Sequence, residues 1–104
     1  MAALVKQIKC DVLPLPRSDF GMCCSESSVY IFGGLKDIDG ETFDDFWRFD
    51  FNTREFTKIE TSTDKPLKRQ GCSLNYYDNN VYLYGGIHDM NYYDDLWKYC
   101  IKQN

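Results

Sequence analysis

Two pairs of adjacent carboxylates, Asp44-Asp45 and Asp94-Asp95, are the first residues of this 104-residue chain whose type and spacing could do chemistry. A general acid and base need two carboxyls that converge on one bond, in environments that drive their pKa values apart. Neighbours on an extended strand point to opposite faces, so each pair diverges. Both pairs also stand just ahead of a tryptophan, Trp47 and Trp97, which gives them a structural place at the start of a strand. The five cysteines (Cys10, Cys23, Cys24, Cys72, Cys100) and the single histidine, His88, show no C-x-x-C or H-x-x-x-H spacing, so no metal site is read. The acidic run at 37–41 has its glycine in fourth place, where an EF-hand calcium loop needs it in sixth. No serine or cysteine lies in a nucleophile elbow. The glycine pairs Gly33-Gly34 and Gly85-Gly86 lack the Gly-Lys-Ser/Thr tail of a phosphate loop. The residues therefore read as those of a non-enzyme with no cofactor.

The elements that must position these residues come twice. Pro14-Leu15-Pro16-Arg17 returns as Pro66-Leu67-Lys68-Arg69, and Val29-Tyr30-Ile31-Phe32-Gly33-Gly34 as Val81-Tyr82-Leu83-Tyr84-Gly85-Gly86, both at an offset of 52. Phe43-Asp44-Asp45-Phe46-Trp47-Arg48-Phe49 returns as Tyr93-Asp94-Asp95-Leu96-Trp97-Lys98-Tyr99 at an offset of 50. The length change falls after the glycine pair, as expected of a loop. Each unit reads as four strands: a at 20–24 and 72–76, b at 29–32 and 81–84, c at 45–51 and 95–101, and d at 55–59. On strand c the alternation sets Trp47, Phe49 and Phe51 on one face, and Trp97, Tyr99 and Ile101 likewise. Hairpin turns fall at 25–28 and 78–80. Almost no helix is expected. The second unit lacks strand d, while residues 4–8 have the place and length of one. The order is then d, abcd, abc, divided as a strand of a preceding or split blade at 1–13, one repeat at 14–65 and a second at 66–104.

This pattern resembles the kelch repeat, in which an Arg near strand a, apolar residues before Gly-Gly, and aromatics on strands c and d recur over about 50 residues. The matching residues are Arg17, Gly33, Gly34, Asp45, Trp47, Phe49 and Phe56, then Arg69, Gly85, Gly86, Asp95, Trp97 and Tyr99. Phe56 stands where the family usually has Trp, and the usual His after the Arg is absent. The resemblance implies an all-β fold of propeller blades, here about two four-stranded antiparallel blades of an incomplete propeller. Physics points the same way: a lone sheet with aromatics on both faces cannot bury them, whereas blades packed side by side do. Two blades do not close a ring. The chain is then a piece of a longer propeller, or one of two to four copies in a ring where residues 4–8 complete a neighbour's blade, or an open array that pairs its edges with a partner.

The resemblance also implies a protein-binding module, an adaptor or substrate receptor, with contacts where the d–a connections and the segments after Gly-Gly meet. Those positions are Ser18, Asp19, Lys36, Asp37, Gln70, His88 and Asp89. Alternatives are a fragment of a kelch-like oxidoreductase or isomerase, and a structural remnant or subunit of an oligomeric propeller. Arg17 and Arg69 are read as hydrogen-bonding the strand-a entrance rather than binding acidic partners. Composition narrows the classes. Hydrophobic residues are 43%, enough for a core, and aromatics 16%. Twelve Lys and Arg against sixteen Asp and Glu, a net charge of −4 without a basic stripe, argue against nucleic acid. No apolar run is long enough to span a membrane. The absence of an apolar leader and the odd cysteine count lead to the expectation of a reduced, cytoplasmic (or nuclear) protein.

Overall fold

The chain is described by a computed structural model over residues 4–37 and 39–103; residues 1–3 of the 1–13 segment, Ile38 of the acidic run and Asn104 lie outside the described residues. Strands β1 (Gly21–Cys24), β2 (Ser28–Phe32), β3 (Phe46–Asp50) and β4 (Glu55–Lys58) form one antiparallel sheet in that order. Strands β5 (Ser73–Tyr77) and β6 (Asn80–Tyr84) follow, then a small hairpin of β7 (Ile87–His88) and β8 (Asn91–Tyr92), then β9 (Leu96–Cys100). β5, β6 and β9 make the second sheet. The register repeats as the sequence does: Val29 faces Phe49 and Ile31 faces Trp47, and Val81 faces Tyr99 and Leu83 faces Trp97.

The sheets stack in the same sense rather than as mirror images. Gly21, Tyr30, Phe32 and Phe46 lie on one face of the first sheet, and the face of the second that carries Leu74, Val81, Leu83, Trp97 and Tyr99 packs on it. Phe46 and Tyr99 meet edge to face at 5.0 Å, a favoured aromatic geometry. Tyr30, Phe32, Val81 and Leu83 are almost wholly buried. Trp97 therefore faces the other sheet. Trp47 occupies the matching place on the outer face of the first sheet, where Phe56 packs against its ring. Gly21 lies at the closest approach: a Cβ there would meet Cys72 Sγ at 2.8 Å.

Three details differ from the sequence reading. Residues 4–10 form no strand; a strand needs a ladder partner, and none of the described strands pairs with this segment. Strand c is shorter than 45–51 and 95–101. Phe51 sits in the β3–β4 turn, which Asp50 closes by accepting the Asn52 and Thr53 N–H groups, and Ile101 opens a single 3-10 turn, Ile101–Gln103. The segment after Gly85-Gly86, read as a loop, is the β7–β8 hairpin. Its corner is Asp89-Met90, both at positive φ (50° and 70°), the conformation of a tight hairpin turn that Asn-Gly normally signals.

Candidate functional site

All the singled-out polar residues lie at one end of the sheets, where chain enters β1 and β5 and leaves β2 and β6. Two identical nodes build that end. Arg17 donates through Nη1 and Nη2 to the two carboxylate oxygens of Asp45 at 2.5 and 2.8 Å, and through Nη1 to the Gly33 carbonyl at 3.1 Å. Its Nε reaches the Leu15 carbonyl, and its guanidinium lies 4.0 Å from the centre of the Phe43 ring. The Trp47 indole N–H donates to the same Asp45 at 2.7 Å. In the second unit Arg69 grips Asp95 at 2.6 and 2.8 Å, reaches the Gly85 and Leu67 carbonyls and stacks on Tyr93 at 4.2 Å, while Trp97 donates to Asp95 at 2.7 Å. The planar fork suits a bidentate carboxylate. Phe43 and Tyr93 were not singled out from sequence, although an aromatic just ahead of Asp-Asp in both units was the available signal.

The nodes leave no carboxylate poised for proton transfer. Hydrogen bonds from Arg69 hold Asp95 down at about 2. Burial pushes Asp45 up, but the bonds from Arg17 and Trp47 outweigh it and its pKa falls below the ordinary value. Asp44 points elsewhere, to Lys65 at 3.6 Å. Burial, helped by the neighbouring Cys24, raises the Cys23 thiol to about 11, and burial raises Cys72 too. A thiol so raised is a poor nucleophile at neutral pH. Among the described residues no group of three metal-binding side chains converges.

The seven loop positions fall into two clusters and one acidic turn. Gln70 Nε2 donates to Asp19 at 3.2 Å, joining the two d–a connections. His88 Nδ1 lies 2.7 Å from Thr42 Oγ1, so the hairpin of the second unit touches the first. His88 is half-buried rather than free in a loop, and Thr42, buried beneath it, had no sequence signal. Ser18 pairs backbone to backbone with Leu35. Lys36 bonds Glu41 at 3.3 Å, and Asp37 caps the Asp39 N–H. Asp89 stands at the hairpin corner beside two exposed apolar side chains, Met90 and Tyr92.

This architecture has a match over nearly its whole length: the KLHDC2/KLHL20/DRC7 Kelch-repeats domain family covers residues 4–104. The chain belongs to the Kelch-repeat family. Kelch domains generally serve as protein-interaction modules, and the incomplete blades seen here are theirs. Relatives include Host cell factor 2 of Homo sapiens, 32% identical over 81 residues, 72% of this chain and 10% of that protein. Tip elongation aberrant protein 3 of Schizosaccharomyces pombe (strain 972 / ATCC 24843) is 28% identical over 90 residues, 83% of the chain and 8% of that protein. N-(sulfonatooxy)prop-2-enimidothioate sulfolyase of Thlaspi arvense is 30% identical over 89 residues, 84% of the chain and 25% of that protein. The Kelch chain thus spans a quarter or less of the length of the curated relatives it matches.

Proposed function

We propose that this Kelch chain binds a partner protein through the end of its sheets at which the two units' connections meet, in an adaptor role and without catalysis. The observation that carries the reading is the joining of the two units' loops there, by Asp19 with Gln70 and Thr42 with His88. The joined loops make one continuous surface from two repeats. Lys36, Asp37, Ser18 and Asp89 border it, and Met90 and Tyr92, 86% and 83% exposed, supply the apolar contact that polar rims surround in protein interfaces. The acidic balance and the absence of a basic stripe favour protein over nucleic acid as the partner. No helix among the described residues is long and apolar enough to cross a membrane.

The sulfolyase relative supports a second reading, in which the chain forms part of an enzyme. It is the weaker one, since Asp45 and Asp95, the two carboxylates held in the nodes at this end, are locked in ion pairs with arginine.

The experiment is an affinity capture with the chain and with the triple variant Lys36→Ala, Gln70→Ala, His88→Ala, both first shown folded by circular dichroism. Partners recovered with the parent and lost with the triple variant are the expected result. Identical recovery with both rejects the loop end as the contact surface.

A further inference from the structure

One junction joins the two units inside the chain, and the groups that build it recur unmatched on both outer faces. Three backbone hydrogen bonds stitch the junction: Gly34 N–H to the Arg69 carbonyl at 2.9 Å, Arg69 N–H to the Phe43 carbonyl at 3.2 Å, and Gly71 N–H to the Asp19 carbonyl at 2.8 Å. Moved forward one repeat, the second unit should offer Gly86 N–H and the carbonyls of Tyr93 and Gly71. Moved back one repeat, the first unit should offer the Arg17 carbonyl and the N–H groups of Arg17 and Asp19. No backbone bond joins any of these six groups to another described residue. Each vacant donor on one face has a vacant acceptor at the corresponding place on the other. Unpaired polar groups of this kind act as a template for what completes them.

The side chains follow the same rule. Tyr84 and Leu96 stand where Phe32 and Phe46 stand in the first unit, but are 51% and 67% exposed against 3% and 8%. Beside β9 runs a groove of about 520 Å³ lined by Ile59, Trp97 and Tyr99. β9 is the free edge of the second sheet, and in the first sheet β4 fills the equivalent place. Leu4 and Lys6 are the counterparts of Phe56 and Lys58 on β4 at the same offset of 52, and Leu4 and Val5 are 80% and 91% exposed.

We propose that copies of this chain stack head to tail, the first unit of one on the second unit of the next, with residues 4–8 of the incoming copy adding the fourth strand beside β9. The contact is heterologous, so it propagates until it closes on itself. It does not depend on which partner the loop end binds. The second junction is tighter than the first: Ser73 replaces Gly21, and Phe20 replaces the Cys72 that closes on it.

The test is the solution mass by light scattering over a range of concentrations. The parent should rise above the 12.2 kDa of one chain. Gly85→Ala is the discriminating variant. Within the chain its Cβ meets nothing nearer than the Tyr93 carbonyl at 3.6 Å, whereas a Cβ on Gly33 would lie 2.5 Å from the Arg69 carbonyl. The new methyl therefore obstructs the incoming Arg17 carbonyl while adding to the monomer only the backbone strain of a positive φ (72°), so the variant is first shown folded by circular dichroism. Leu96→Glu, on the exposed face, is the second variant and does not depend on backbone conformation. Each should weaken association by at least about tenfold, some 1.4 kcal/mol, and Ser73→Gly should strengthen it. A parent that stays monomeric throughout, leaving these faces to the blades of some other chain, overturns the proposal. So do both blocking variants associating as the parent does.

Discussion

The nodes of Arg17 and Arg69 have the same bonds to within about a tenth of an ångström, but different surroundings. The backbone of Arg69 is clasped by Gly34 and Phe43 of the first unit while its side chain grips Asp95 of the second. Arg69 is thus a cross-link between sheets. Arg17 makes the same side-chain bonds within its own unit, and among the described residues its backbone meets no other sheet. The node belongs to the repeat; the cross-link belongs to the junction. Repeat arrays divide stability in this way, between terms within each unit and terms between neighbours.

Asp95→Asn should show that division most strongly. It leaves a guanidinium that is 0% exposed without its counter-charge, although the carboxylate itself is 34% exposed; breaking a fully buried pair from one side costs about 3–5 kcal/mol, so the loss here should be about 3 kcal/mol at most. Because Arg69 also holds the junction, the loss should appear as a lower urea midpoint for the whole chain. Asp45→Asn should cost less, since Arg17 ties only its own unit. Equal midpoints in the two variants would mean that the Arg69 backbone contacts add nothing to the coupling of the sheets.

The glycine pair separates the two regions by a smaller margin. Gly33 and Gly85 have the same φ, 70° and 72°, so alanine bears a similar left-handed strain at each, about 1–2 kcal/mol. Only at Gly33 does the added Cβ also strike backbone, the Arg69 carbonyl. Gly33→Ala should therefore be the more destabilising by roughly 1–3 kcal/mol, the range for overpacking, measured in the same unfolding experiment. A Gly85→Ala variant as unstable as Gly33→Ala would show that conformation alone sets the glycine requirement.

The strands and their pairing were legible because each strand carries a period-two pattern and the pattern occurs twice. The same arithmetic found Arg17, Asp45 and Trp47 as a set, though not their mutual bonds. What escaped depends on neighbours distant in sequence. Thr42 is buried where His88 of the other unit's hairpin bonds to it. That hairpin itself was hidden because Asp89-Met90 is not a usual turn pair. Residues 4–8 have the composition of a strand but lack the ladder that would make them one. The stacking sense, a tryptophan face on a tyrosine-phenylalanine face, has no signal in either unit alone.

Acid should open the two nodes in sequence. Both aspartates ionise more readily in the folded chain than in the unfolded one, where a carboxyl of this kind titrates near 3.9. The unfolded state therefore binds more protons, and the nodes contribute their full stabilisation above about pH 4 and lose it as the pH falls. For Asp95 the arginine bonds dominate and the loss extends down to about 2. For Asp45 burial opposes the same bonds as the largest single effect, so its drop is the shallower and its node should open first. Trp47 and Trp97 each donate to one of these carboxylates, which makes them local reporters. Followed singly in Trp97→Phe and Trp47→Phe variants, indole fluorescence should change at higher pH for Trp47 than for Trp97. Coincident transitions would mean that the sheets part as one unit before either carboxylate is protonated, and the independence of the nodes would have to be given up.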